Sequence, residues 1–139
     1  MVFDSGPLIP PVLASSSVPL VFTPTRIDGR LFSDAGIVNN FPVELLDGRC
    51  RIILGVYATP LKTTSEADLT NSLAVLKRSW DVGMFNASQG KFERCDCLIC
   101  PEALGRFGIF DTKNLDAIEQ IGYDVACGRM DEILDLCRG

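Results

Sequence analysis

The spacing of apolar residues divides the chain into short elements that alternate in character. Met1 to Ser17 mixes Pro, Gly and Ser with apolar residues, and a short helix is expected around Val12 to Ser17, ended by Val18-Pro19. Arg26-Ile27, Asp28-Gly29 and Arg30-Leu31-Phe32 form a hairpin signal, because Asp-Gly supplies the two positive φ angles of a type I′ turn. Phe41-Pro42-Val43-Glu44-Leu45-Leu46 reads as a short helix, with Pro42 in its first turn and Gly48 at its end. Arg51 to Ala58 is an almost continuous apolar run, too short for a typical helix and rich in branched residues. Continuity without alternation predicts a strand buried on both faces, as in a parallel sheet.

The second half carries longer periods. Ser65-Glu66-Ala67-Asp68 has the form of a capping box, and after it Leu69, Leu73, Leu76, Trp80, Met84 and Ala87 recur at helical steps. This predicts a long amphipathic helix with that stripe packed inward. Cys95 to Cys100 reads as a strand. Asp111-Thr112 caps a helix bearing Leu115, Ile118, Gly122 and Val125 on one side and stopping at Gly128, and a last helix spans about Met130 to Cys137. Strands alternating with helices indicate an α/β fold.

Composition narrows the chemistry. The 139 residues are 47% hydrophobic and 22% charged, within the globular range. The net charge of −5 and the scattered basic residues argue against nucleic acid as a partner. The longest apolar run falls far short of the roughly 20 residues of a membrane-spanning helix. Asp4 close behind Met1 does not suit a signal peptide, so a cytoplasmic location with six free thiols is expected. The chain contains no histidine, which excludes Ser-His-Asp and Cys-His catalysis within it. Acid–base chemistry here falls to Asp, Glu, Lys, Tyr or Cys.

The stretch Leu13 to Leu46 is the most informative. It contains Ala14-Ser15-Ser16-Ser17-Val18-Pro19, Phe22-Thr23-Pro24, Asp28-Gly29-Arg30, Asp34-Ala35-Gly36 and Asn40-Phe41-Pro42. In that order these pieces resemble the C-terminal motif region of the patatin-like phospholipase family. Ile52 to Val56 and Leu115 to Ala126 look like the family's later strand and closing helix. The resemblance implies the C-terminal part, over residues 1–139, of a three-layer α/β/α domain with a mostly parallel sheet and flanking helices. It implies a serine acyl hydrolase acting on phospholipid or lysophospholipid esters through a Ser-Asp dyad. Asp34 matches the catalytic aspartate that accepts the serine proton. No metal or organic cofactor is implied, and substrate would be met through peripheral contact with a lipid surface.

A physical argument for Asp34 stands beside the resemblance. Serine is a weak nucleophile near neutral pH and needs a base within hydrogen-bond reach; without histidine, a carboxylate fills that role. The same residue also suits a plain turn-capping carboxylate behind a hairpin. Ala35 stands where the family usually has Gly, and Ala tolerates positive φ poorly, so a shifted loop or weaker activity is expected if that angle is required.

The nucleophile is not among these residues. Asn86-Ala87-Ser88-Gln89-Gly90 lacks the first glycine of a Gly-x-Ser-x-Gly elbow and falls inside the long helix, so Ser88 is expected to be a surface helical serine. Ser15, Ser16 and Ser17 read as a helix-end cluster that packs or caps. Gly105-Arg106-Phe107-Gly108 is too sparse for an oxyanion loop. Because Met1 to Leu8 already resembles mid-domain family sequence, the glycine-rich loop and serine elbow are expected in a missing N-terminal half, which becomes the chain's partner. Alone, the chain is expected to be inactive.

Two further readings remain. One is a non-catalytic interaction or regulatory module that keeps the patatin-like fold. The other is a cysteine-based metal or redox module built on Cys95, Cys97 and Cys100, with Cys50, Cys127 or Cys137 as a fourth ligand. Strand alternation puts Cys95 and Cys97 on one face and Cys100 on the other, which favours buried structural thiols. Trp80 and Met84 are expected to pack helix against sheet.

Overall fold

The computed structural model describes residues 1–19, 21–108 and 110–139. These form two compact units, Met1–Asn40 and Phe41–Gly139. The architecture is mixed α/β, with one antiparallel and one parallel two-stranded sheet among the described residues.

The first unit runs α1 (Ile9–Ser15), β1 (Thr25–Ile27), β2 (Arg30–Phe32) and α2 (Gly36–Asn39). Helix α1 begins earlier than its apolar pattern predicts. Pro10 and Pro11 fall in its first turn, where a missing N–H removes no helical hydrogen bond. The hairpin forms as predicted: Thr25 pairs with Phe32, Arg26 with Leu31 and Ile27 with Arg30. Asp28 and Gly29 take φ of 47° and 78°, the angles a type I′ turn requires. Ala14 is buried, and Phe3 meets Phe32 edge-on at 5.4 Å.

The second unit opens with a 3-10 turn over Val43–Leu46, ended by Gly48 at φ 66°. It continues through β3 (Leu54–Val56), α3 (Ser72–Gln89), β4 (Cys97–Ile99), α4 (Leu115–Gly128) and α5 (Met130–Arg138). Strands β3 and β4 are parallel, in the register Leu54–Cys97, Gly55–Leu98 and Val56–Ile99. Asp96 locks the entry of the pair, its backbone N–H donating to Ile53 O at 2.9 Å while its carboxylate accepts from Ile53 N–H at 2.8 Å.

The core of this unit is aromatic. Phe41, Val43 and Tyr57 are buried, with Ile53, Phe85, Phe92, Cys95, Leu98 and Cys100 packed around them. Phe41, Tyr57, Phe85 and Phe92 meet at centroid separations of 5.0–6.2 Å, mostly edge to face. Gly55 makes this packing possible. A Cβ there would stand 2.5 Å from Cys95 Sγ and 2.9 Å from Phe41 Cζ.

Three expectations require correction. The strand predicted over 51–58 is not buried on both faces, since Leu54 is 46% and Val56 62% exposed while Gly55 between them is buried. The Ser65–Asp68 capping box forms, but it caps only a 3-10 turn over Glu66–Asp68. Helix α3 starts later, with Asn71 as its cap, the Asn71 Oδ1 accepting from Ala74 N–H at 2.9 Å. Its inward stripe is then Ala74, Arg78, Asp81, Phe85 and Ser88, flanked by half-buried Trp80, Val82 and Met84; of the predicted stripe Trp80 and Met84 are partly covered, while Leu73, Leu76 and Ala87 face solvent.

The later helices follow the pattern more closely. Ile118, Gly122 and Val125 form the half-buried side of α4, although Leu115 is exposed. Asp111 organises the approach to α4 by accepting from the Lys113 and Asn114 N–H groups. Arg51 donates to the Leu136 and Cys137 carbonyls near the end of α5. No described helix is long and apolar enough to cross a membrane.

Candidate functional site at Asp34

The site is built within the first unit, where β2 ends and α2 begins. The chain leaves β2 at Phe32, passes Ser33 and Asp34, and enters α2 through Ala35. Asp34 is half-buried and is held from two directions. Its backbone N–H donates to Ser17 O at 3.1 Å, and its Oδ1 accepts the Gly36 N–H at 2.7 Å. A fixed main chain and a fixed Oδ1 leave the carboxyl little freedom. Oδ2 has no protein hydrogen bond among the described residues.

Ala35 is the residue that sequence reasoning flagged, and the structure removes the objection. It lies at φ −70° and ψ −15°, in ordinary right-handed space. Its carbonyl accepts from the Val38 and Asn39 N–H groups at 2.9 and 2.8 Å. No positive φ is needed there, so an alanine methyl introduces no backbone strain. The demanding position is the next one. A Cβ at Gly36 would stand 3.0 Å from Asp34 Oδ1 and 3.1 Å from Asn40 Oδ1. Gly36 gives room beside the carboxylate, where a methyl would press on two side-chain oxygens, and its backbone is not left-handed.

Ser17 supplies what sequence reasoning missed. It is buried, and its Oγ lies 2.8 Å from Leu13 O, to which it donates, and 2.9 Å from Thr25 Oγ1. Its carbonyl receives two bonds, from the Asp34 N–H and from Ser33 Oγ at 2.7 Å. The residue thus ties the end of α1, strand β1 and the Asp34 turn into one hydrogen-bonded unit. The reading of Ser15, Ser16 and Ser17 as a helix-end cluster that packs or caps holds for Ser17, and Ser16 Oγ likewise donates back to Val12 O. The signal for Ser17 was its place at the end of an amphipathic turn, but its link to Asp34 depends on the hairpin fold-back.

Ser88 is corrected. It is 1% exposed rather than a surface serine, and its Oγ donates to Met84 O at 2.8 Å within α3. A hydroxyl sealed in a helix and committed to a carbonyl has neither access nor a base. Trp80 and Met84 are half-buried, but the helix residue in the aromatic core is Phe85.

The six cysteines are free. Cys97 is buried, and Cys95 and Cys100 are half-buried, with burial pushing both of these thiols above their ordinary range. Among the described residues no group of three or more His, Cys, Asp or Glu side chains is placed to hold a metal ion.

Comparison with known families bears on this loop. Residues 2–47 match the family model described as Patatin-like phospholipase, a span that holds α1, the hairpin, Asp34 and α2. The match is narrower than the resemblance drawn from sequence, which also took in 52–56 and 115–126. The Asp34 loop thus lies inside the part of the chain that is similar to the patatin-like phospholipases.

Proposed function

We propose that this chain contributes the acidic half of a Ser-Asp dyad that hydrolyses phospholipid or lysophospholipid acyl esters. The observation that carries the reading is the Asp34 carboxylate, anchored through Oδ1 to Gly36 N–H and open at Oδ2, inside the patatin-like span. In the assembled enzyme Asp34 accepts the proton of a serine as it attacks the ester carbonyl. The alcohol portion leaves, and water then releases the fatty acid from the acyl-enzyme.

The serine and its oxyanion hole are assigned to a preceding N-terminal half of a three-layer α/β/α domain. Support comes from the apolar surface of the chain. Leu54 and Val56 on β3, and Leu73 and Leu76 on α3, stand exposed where a covered sheet and helix would bury them. The six free thiols suit a reducing, cytoplasmic setting, with lipid met at a membrane or micelle surface. A non-catalytic module with the same fold is the second reading, favoured by the absence of a serine elbow among these 139 residues.

Asp34→Asn in a protein that joins this chain to a serine-elbow half is the direct test. Ester hydrolysis is expected to fall by roughly three orders of magnitude with folding retained, since the change is nearly isosteric. The isolated chain is expected to hydrolyse no short acyl ester. An Asp34→Asn enzyme that keeps most of its activity refutes the dyad and leaves the module reading.

A further inference from the structure

The second unit contains a cleft of about 360 Å³ that the hydrolase reading does not use. It lies at the carboxyl ends of the two parallel strands. The chain leaving β3 contributes Tyr57 to Lys62, and the chain leaving β4 contributes Leu104 and Gly105. Crevices outside the carboxyl ends of parallel strands are where open α/β sheets bind ligands, and the volume falls within the range of small-molecule sites.

The walls are mainly apolar, formed by Leu61, Met84, Leu104, Phe107, Leu115 and Ile118. The charged groups on the lining divide by what they already hold. Lys77 pairs with Asp81 at 3.5 Å, and Lys62 with Asp68 at 3.7 Å. Asp111 accepts from two backbone N–H groups and from the Asn114 side chain. Arg78 is different. It is half-buried on the inward stripe of α3, lines the cleft, and has no hydrogen bond or ion pair among the described residues.

We infer that this cleft binds an anionic amphiphile of the long-chain carboxylate class, with the carboxylate on Arg78 and the chain against the apolar wall. A guanidinium presents paired N–H donors that match a carboxylate, and an uncommitted one at the edge of an apolar cleft supplies the charge such a ligand needs. The inference stands apart from Asp34 and holds whether or not the chain takes part in ester hydrolysis.

Calorimetric titration of the whole 139-residue chain with dodecanoate, kept below its micelle-forming concentration, tests it. Saturable binding of one dodecanoate per chain is expected. Arg78→Gln should weaken it about tenfold or more, the loss expected for one charge-assisted hydrogen-bonded contact. Leu115→Asp, at an exposed position on the lining, should weaken it similarly by repulsion while leaving α3 untouched. This variant keeps the proposal testable if Arg78→Gln does not fold. Inorganic phosphate and acetate should bind at least tenfold more weakly than dodecanoate, and so should dodecanol. Equal binding of dodecanol would identify adsorption onto exposed apolar residues and overturn the proposal. Equal binding of phosphate would identify a simple anion site and do the same. Unchanged affinity in folded Arg78→Gln and in Leu115→Asp would also overturn it.

Discussion

The two units of the molecule are held together by different means. In Met1–Asn40 the defining contacts are polar, with Ser17 O collecting two donors from across the hairpin and Asp34 Oδ1 holding the Gly36 N–H. In Phe41–Gly139 they are apolar and come from distant parts of the chain, with four aromatic rings meeting beside a short parallel ladder. Each unit depends on one glycine, for different reasons. Gly36 gives space to a carboxylate, and Gly55 gives space to a sulfur and a ring. Substituting one should damage geometry at the site, and substituting the other should damage stability.

Gly55→Val should have the largest effect on folding. Its Cβ alone meets Cys95 Sγ at 2.5 Å, Phe41 Cζ at 2.9 Å and Leu98 Cδ1 at 3.2 Å. The sulfur can swing aside, but Phe41 is buried against the Tyr57 and Phe92 rings, so overpacking of about 3 kcal/mol is expected. Denaturant titration followed by tryptophan fluorescence measures it. Gly36→Ala is the counterpart. Its methyl meets two side-chain oxygens that can yield, so the expected stability loss is below about 1 kcal/mol, while hydrolysis by the assembled enzyme falls at least tenfold. If both glycine variants lose stability equally, the contrast between the units fails.

Ser17→Ala comes next. It removes the Oγ bonds to Leu13 O and Thr25 Oγ1 but leaves the carbonyl that anchors Asp34. A loss of about 1–2 kcal/mol is expected, with catalysis in the assembled enzyme nearly unchanged at temperatures where the variant stays folded. A thermal melt and an activity assay on the same variant separate the two. Loss of activity without loss of stability would mean that the hydroxyl, and not only the carbonyl, positions Asp34.

The difference between the units also explains what the sequence reveals. Asp28-Gly29 specifies its turn through backbone angles alone, so the hairpin and the Asp34 loop behind it were legible with their residue numbers. The phase of α3 was not. Its start depended on which of two caps, Ser65 or Asn71, begins the helix, and both form in the structure. The apolar pattern across Leu69, Leu73 and Leu76 favoured the earlier start, yet those side chains remain exposed while Arg78 and Asp81 turn inward. Burial of β3 was overestimated because a continuous apolar run reports what a strand can tolerate on each face, not which faces are covered. Ser17's role was illegible because its two halves, a helix end and a hairpin exit, meet only through the fold-back.

Thiol reactivity gives a smaller readout of the aromatic unit. Burial is the first cause raising Cys95 and Cys100, with the neighbouring charges of Asp96 and Glu102 adding to it. In the native chain the exposed Cys50, Cys127 and Cys137 should alkylate first. Cys95 and Cys100 should require higher pH. The unfolded chain ionises these two thiols near the ordinary value of 9.0, before the native chain does. Their contribution to stability is therefore complete below pH 9 and declines as pH rises through the raised native values. Mass spectrometry of alkylated peptides across pH 7 to about 10 follows both groups. Equal rates at all six sites would show that the core around β3 and β4 is open.

The smallest expected effect is at Asp68, and it tests the cap that failed to start the long helix. The Ser65 backbone N–H donates to Asp68 Oδ2 at 2.9 Å, the Ser65 hydroxyl lies at the same distance, and Lys62 stands 3.7 Å from Oδ1. The Ser65 backbone bond, then its hydroxyl, then the Lys62 charge hold the Asp68 carboxyl below its ordinary value of 3.8. At neutral pH both the native and unfolded chains carry this group ionised, and the cap is intact. As pH falls below 3.8 the unfolded chain takes up the proton first, so the native state loses the group's contribution as pH drops through the lowered value. The group is solvent-exposed, so the change in global stability should be slight and should shrink further in salt, which screens the Lys62 charge. The local signal is the better one. The Ser65 amide proton should move during an NMR titration with a midpoint below 3.8, and Asp68→Asn should abolish that movement while leaving the Ala74 amide, bonded to Asn71, unaffected. A midpoint at or above the ordinary value would dissolve the cap. Matching movement of the Ala74 amide would show instead that the two caps act as one start signal, bringing the phase of α3 back under the control of Ser65.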